Sequence, residues 1–298
     1  MAPQLCLGTA QFGLPYGITN NLGQVDERVV RKLLSKAFDH GITCLDTAHV
    51  YGTAEQVLGR NLPNGCPFRI VTKLSSQTQS SFSVDDVEIW DTAFSRSCFL
   101  LGQHKIDSLL LHDINDLNKP GSQHLVKWML NLREKGLVKR LGVSIYRAED
   151  LDGISSDLLD LVQLPLSLYD QRLLCDGTIA RLKSQGCAVH ARSLYLQGLL
   201  LSKSCDLPSW VSQSTRDHHT KLEALAADRG CSLLDLSLSF AKAQSDLESV
   251  VIGVCSLNQL DQLLHSWEHA LSPWQNAEWH NWALDSLDLI DPRRWPKH

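Results

Sequence analysis

Short apolar runs recur along the chain at Leu5–Gly8, Ile42–Asp46, Arg69–Lys73, Ser108–His112, Lys139–Ser144, Leu159–Leu164, Cys187–Arg192 and Ser249–Gly253. Their apolar positions are mostly consecutive, as in strands covered on both faces. Between the runs the period changes. Residues 26–40 place Val29, Val30, Leu33, Leu34, Ala37 and Phe38 at helical spacing, with Gly41 as a C-terminal stop. Residues 121–135 repeat the pattern with Leu125, Val126, Met129 and Leu132, then stop at Gly136. Residues 255–270 carry Leu257, Leu260, Leu263, Leu264 and Trp267. Strand then helix, at roughly 30–40 residue intervals, predicts parallel βαβ units.

Eight such units fit a closed (β/α)8 TIM barrel. The rival is an open doubly wound sheet, which usually carries G-x-G-x-x-G after its first strand; Gly8-Thr-Ala-Gln-Phe-Gly13 does not match. No linker, low-complexity tract or sequence repeat divides the 298 residues. The expectation is one domain, with the barrel over about 4–270 and a C-terminal tail, 271–298, over or beside it.

Composition narrows the function. With 43% hydrophobic residues and a formal charge of −5, the chain is too apolar for disorder and too acidic for a strong grip on nucleic acid or anionic lipid. No apolar run approaches the ~18 residues of a membrane span. The opening MAPQLCLGTAQFG lacks the features of a signal peptide, so a cytoplasmic protein is expected. The nine cysteines are odd in number and form no C-x-x-C pair, which reads as free thiols, with no metal centre expected.

In a barrel, chemistry sits at the C-terminal ends of the strands. The predicted strands end at or near Asp46, Lys73, His112, Ser144, Gln163, Arg192 and Gly253. Taken singly, Asp46 is a strand-end cap, Lys73 an ion-pair partner and His112 a satisfied polar residue. Taken together, with Tyr51 five residues after Asp46, they describe acid catalysis at a carbonyl. Lys73 beside Asp46 forms a partly buried pair. A nearby ammonium lowers a tyrosine's pKa from ~10 and makes it a practical proton donor. A histidine opposite orients the carbonyl oxygen.

These residues carry a resemblance to the aldo-keto reductase family. The matching stretches are Leu7-Gly-Thr-Ala-Gln-Phe-Gly13, Asp46-Thr-Ala-His-Val-Tyr51-Gly52, Thr72-Lys73, Leu111-His112, Gly136-Leu-Val-Lys-Arg-Leu-Gly-Val-Ser144, Gln163-Leu-Pro-Leu-Ser-Leu-Tyr169, Ala191-Arg-Ser193, Gly198-Leu-Leu, Ile252-Gly-Val254 and Gln259-Leu260. They run in family order from residue 5 to about 264. The resemblance implies a barrel that transfers hydride from a nicotinamide cofactor to a small carbonyl substrate. It makes Tyr51 the acid, Lys73 the group that lowers its pKa, Asp46 the holder of Lys73, and His112 the orienting group. It also implies cofactor contacts. Gly8 and Thr9 are counted among them, with Ser144 and Gln163 on the carboxamide. Ser193, Leu194 and Gly198 lie along the pyrophosphate, and Gly253, Ser256 and Gln259 near the adenosine.

The chain departs from the pattern in places. Ile145 stands where the family has Asn, and Arg192 where an aromatic ring often stacks on the nicotinamide. The stretch after Gly253 has no cation for a 2′-phosphate, so NADP(H) is the family's expectation with NAD(H) left open. The family's N-terminal hairpin is expected to be missing. Phe12, Tyr16, His49, Tyr169 and Tyr195 are candidates for an aromatic substrate pocket suited to a sugar-like or ring-bearing carbonyl. Five of the eight tryptophans, Trp267, Trp274, Trp279, Trp282 and Trp295, fall in the last 32 residues; they either shape that pocket or pack an extra helix on the barrel. His265-Ser-Trp-Glu268-His269 matches a metallopeptidase pattern, but it lies on a predicted outer helix with no third ligand nearby in sequence. A non-catalytic, cofactor-binding redox sensor or subunit is the alternative to an enzyme. Oligomeric state is open.

Overall fold

The structure is a computed structural model that describes residues 1–63, 65–270 and 278–296. Eight strands, β1 (Gln4–Gly8), β2 (Cys44–Asp46), β3 (Arg69–Leu74), β4 (Ile106–Leu111), β5 (Val138–Ser144), β6 (Leu161–Pro165), β7 (Ala188–Arg192) and β8 (Ser249–Gly253), pair in parallel and in sequence order. β1 also pairs β8, from Gln4 with Ser249 to Gly8 with Gly253, and this closes the barrel. Each strand falls on one of the eight apolar runs, with ends shifted by no more than two residues.

The main helices are α1 (Glu27–Asp39), α2 (Ala54–Asn61), α3 (Val87–Leu101), α4 (Ser122–Glu134), α5 (Thr178–Ser184), α6 (Gln213–Asp228), α7 (Leu233–Lys242) and α8 (Leu257–His269). Their boundaries follow local chemistry. The Asp26 carboxylate accepts from the Arg28 N–H at 2.8 Å to start α1. After α1, Gly41 turns the chain with φ +79°. The alternation is not perfect. Between β5 and β6 the helix is replaced by the short 3-10 turns Ala148–Leu151 and Ser156–Leu158, whereas two helices, α6 and α7, separate β7 from β8.

One core layer lies between barrel and helices and holds the inward faces, such as Val30, Leu33, Leu34 and Ala37 of α1. A second, inside the barrel, is built from Cys6, Cys44, Val71, Leu110 and Leu161. The N-terminal end of the barrel is polar: Arg140 donates to Glu248 at 2.8 Å and to Asp107 at 2.9 Å.

The tail does two things. Trp279 meets Phe240 edge-on at 5.8 Å, and the Trp282 ring lies tilted against His218 at 5.3 Å, so this stretch packs beside the barrel. Further on, Trp295 is buried against Trp210, its Nε1 donating to the Leu289 carbonyl, and Pro292 and Arg293 reach the barrel mouth. The start of the expected tail, 271–277 with Trp274, lies outside the described residues.

Candidate active site

The C-terminal ends of the strands surround a cavity of about 700 Å³. Asp46 closes β2, Ser144 closes β5, Arg192 closes β7 and Gly253 closes β8; Gln163 lies within β6, and His112 follows β4 directly. All of these line the cavity, as does Tyr51. Lys73, next to last in β3, lies beneath the lining and is 1% exposed.

The floor is one hydrogen-bonded unit. The Lys73 ammonium donates to Asp46 Oδ1 at 2.7 Å and to the Thr47 carbonyl at 2.9 Å. Gln163 Nε2 donates to the same Asp46 oxygen at 2.7 Å, and Thr9 Oγ1 to the Asp46 carbonyl at 3.0 Å. A buried ammonium survives only with such partners. Lys73 Nζ lies 5.3 Å from the centre of the Tyr51 ring, and the His112 ring meets Tyr51 edge-on at 6.0 Å.

Two glycines fix the height of Tyr51. Gly13 ends a helical turn, Ala10–Gly13, packed on the Tyr51 loop; a Cβ on Gly13 would fall 1.9 Å from the Tyr51 carbonyl oxygen. Gly52, with φ +58°, would place a Cβ 2.4 Å from the Gly13 oxygen. The Gly13 and Tyr51-Gly52 motifs are thus two sides of one backbone contact.

The electrostatics differ from the sequence expectation in one respect. Lys73 was expected to lower the Tyr51 pKa. Burial first, and the Asp46 carboxylate second, instead push the Tyr51 phenol above its usual value, with Arg192 pulling the other way. The Lys73 charge is balanced by Asp46 at 2.7 Å. His112 is pushed down to about 4, by burial and then by Lys73 and Arg192, so its imidazole is neutral around pH 7.

Most residues expected to contact a cofactor line the cavity: Gly8, Thr9, Ser144, Gln163, Arg192, Ser193, Leu194, Gly198, Gly253 and Gln259. Several features fit a nicotinamide dinucleotide there. Gln163 Oε1 is buried and has no partner among the described residues, so it remains an acceptor for an amide N–H. The loop after β7 holds Ser193, Leu196, Gln197 and Gly198 at positive φ, a concentration of strained backbone typical of ligand-clamping loops. At Gly253 a Cβ would meet the Gln11 side chain at 2.5 Å.

Several other expected residues lie elsewhere or meet protein partners. Ser256 does not line the cavity; its hydroxyl caps α8 by accepting from the Gln259 N–H at 3.2 Å. The Arg192 guanidinium lies 4.1 Å from the centre of the Tyr146 ring and donates to the Ile145 carbonyl, so its stacking partner in this structure is a tyrosine. Of the aromatic pocket candidates, Tyr16 and Tyr195 line the cavity. Phe12 is fully buried in the core. Tyr169 is also buried, with its hydroxyl 2.6 Å from His219 Nδ1 and its carbonyl accepting from the Leu284 N–H, so it secures the tail. His49 is half-buried outside the lining. His265 and His269 are exposed on α8, and His269 Nδ1 meets the His265 carbonyl.

Tyr146 and Arg293 were not anticipated. Both line the cavity, and Arg293 Cζ lies 3.3 Å from the centre of the Tyr146 ring. Tyr146 follows Ile145, the position read as a lost contact, and could have been suspected there. Arg293 is 147 residues further along, and no local pattern links the two.

Comparison with known proteins gives the family and the fold. The model of the Aldo/keto reductase family matches residues 4–283. The chain is 27% identical over 256 residues to the D-arabinose 1-dehydrogenase of Saccharomyces cerevisiae, covering 79% of this chain and 76% of the yeast protein. Its fold superposes on the holo form of the aldo-keto reductase AKR11C1 from Bacillus halodurans with a TM-score of 0.74 and 20% identity, covering 99% of this chain and 96% of the other. A family match over nearly the whole barrel, with the strand-end residues gathered at one mouth, makes this chain an oxidoreductase that belongs to the aldo/keto reductase family.

Proposed function

We propose that this chain reduces an aldehyde or ketone of a sugar-like molecule to the alcohol, with NAD(P)H as reductant and Tyr51 as the proton donor. The observation that carries the reading is the neighbourhood of Tyr51: His112 on one side, the buried Lys73–Asp46 pair below, and the open cavity above.

The nicotinamide, when bound, supplies hydride to the carbonyl carbon. Gln163, through its free Oε1, and Ser144 suit the carboxamide, and the 193–198 loop suits the pyrophosphate. Tyr51 keeps its proton at neutral pH and gives it to the carbonyl oxygen as negative charge develops there. Neutral His112 donates an N–H to the same oxygen and fixes its direction without competing as an acid. Lys73, held by Asp46 and Thr47, offsets charge left on the phenolate. Tyr16 and Tyr146 give the walls aromatic faces edged with hydroxyls, which suits a polyol, and Tyr195 adds to the lining with its hydroxyl buried. The yeast relative named as a D-arabinose dehydrogenase supports the same substrate class.

Between NADP(H) and NAD(H), the polar side chains lining the cavity near β8 and α8 are the neutral Gln259 and Gln262. Among the described residues, the lysines and arginines lining the cavity are Arg192 and Arg293, both at Tyr146. Selectivity for the 2′-phosphate is therefore small, and the KM values for NADPH and NADH should lie within about tenfold, or ~1.4 kcal/mol.

The deciding experiment is cofactor oxidation with an aldose or a reactive aromatic aldehyde, native against Tyr51→Phe. The substitution should lower kcat by about 100- to 10,000-fold while cofactor binding, followed by fluorescence, is kept. Turnover that survives the loss of the hydroxyl would remove Tyr51 from its role.

A further inference from the structure

One polar group inside the barrel takes no part in the chemistry above. His190, in the middle of β7, is fully buried. Its Nε2 lies 3.0 Å from Glu248 Oε1, and Glu248 is held as a carboxylate by two bonds from Arg140 at 2.8 and 3.1 Å. An ionised carboxylate only accepts, so Nε2 carries a proton, and Nδ1 of the neutral ring presents a lone pair. That Nδ1 is buried and has no hydrogen-bond partner among the described residues.

Two thiols lie close to the His190 ring. Cys6 of β1 and Cys44 of β2 each precede the paired Leu7 and Leu45, and both belong to the inner layer of the barrel. The two sulfurs and one His190 ring nitrogen all lie within 4.8 Å of one another. In a closed coordination shell, with metal–sulfur bonds of ~2.3 Å and metal–nitrogen bonds of ~2.0 Å, such donors sit roughly 3.7–4.0 Å apart. Side-chain adjustments of less than about 1 Å bring them there. A carboxylate on the far ring nitrogen is the usual support for a metal-binding histidine.

We propose that Cys6, Cys44 and His190 form a buried three-coordinate site for a thiophilic d10 cation, with Cu(I) as the ion that fits. Two thiolates and an imidazole are soft donors. Among the described residues this is the single such group of histidine, cysteine and carboxylate donors, and no fourth donor of these types joins it. Zn(II) asks for four, whereas Cu(I) is satisfied by three. Loading expels the two thiol protons to solvent and changes no oxidation state. The donors come from strands far apart in sequence, and no C-x-x-C spacing announces them. The cysteines are 0% and 1% exposed, so the ion enters as the barrel closes during folding.

The test uses the full chain, unfolded and refolded under reductant with Cu(I) or with Zn(II), then washed with a competing chelator. Native protein should retain one Cu(I) per chain, with an X-ray absorption shell of two sulfurs and one nitrogen. Cys44→Val, which keeps the core filled, should fold by circular dichroism and lose the ion. A native chain that emerges metal-free overturns the site. So does retention by Cys44→Val, which would place the ion on other cysteines. Retention of Zn(II) but not Cu(I) overturns the three-coordinate assignment. If Cys44→Val fails to fold, the native absorption shell decides, and an all-sulfur shell overturns the proposal.

Discussion

Tyr51 carries a phenol that burial and Asp46 keep protonated, and this fixes the sign of its pH response. Reduction needs the protonated form. Because the Tyr51 pKa is raised above the ordinary ~10, the reductive kcat should stay flat up to about pH 9. Alcohol oxidation needs the phenolate and should climb across the same interval; stopped-flow rates in both directions check this. Lys73 makes a separate prediction. It is 1% exposed, and its partner Asp46 is equally enclosed. Replacing it by Met leaves a buried carboxylate with Gln163 as its remaining side-chain donor. The expected loss of stability is about 3–5 kcal/mol, read from urea unfolding. His112 adds a milder acid sensitivity. Its pKa falls from 6.5 in the open chain to about 4 when folded, so the unfolded chain binds the extra proton first. Its contribution is complete above pH 6.5 and declines as the pH falls toward 4.

At the scale of elements, the contact between Gly13 and Gly52 ties the first βα connection to the second. Gly13→Ala must push the Tyr51 loop outward, since its Cβ would overlap the Tyr51 carbonyl. Expected is a loss in kcat larger than the change in KM, with the far-ultraviolet spectrum unchanged. The strands themselves were readable because a strand covered on both faces is a continuous apolar run, and each such run became a strand. The site was readable for the same reason, since polar residues that end such runs have nowhere to go but the barrel mouth. What failed to read was the side of a loop on which a side chain lands. Phe12 and Tyr169 lie near strand ends, as Tyr16 does, yet the first two turn into the core. The missing helix between β5 and β6 also left little trace, because a short apolar connection packs equally well as 3-10 turns.

Across the whole molecule, the last residues return to the first chemistry. Trp295 seats the tail against Trp210, and Pro292 and Arg293 then complete the mouth. Trp295→Ala should cost about 3–5 kcal/mol as a buried tryptophan truncation, and it should raise the KM for the carbonyl substrate more than it lowers kcat. Steady-state kinetics on the folded variant measure the split. Contacts of this range leave no local pattern, which is why Arg293 was invisible in the sequence. They also create a dependence between remote parts. The Tyr146 ring is shared by two cations, Arg192 from the seventh strand and Arg293 from the tail. Any ligand that draws Arg192 away changes how firmly the ring holds Arg293, and by reciprocity the tail's attachment sets that ligand's affinity. The expected outcome for such a ligand is a change in how readily proteases cut the tail, which can be followed without observing turnover at all.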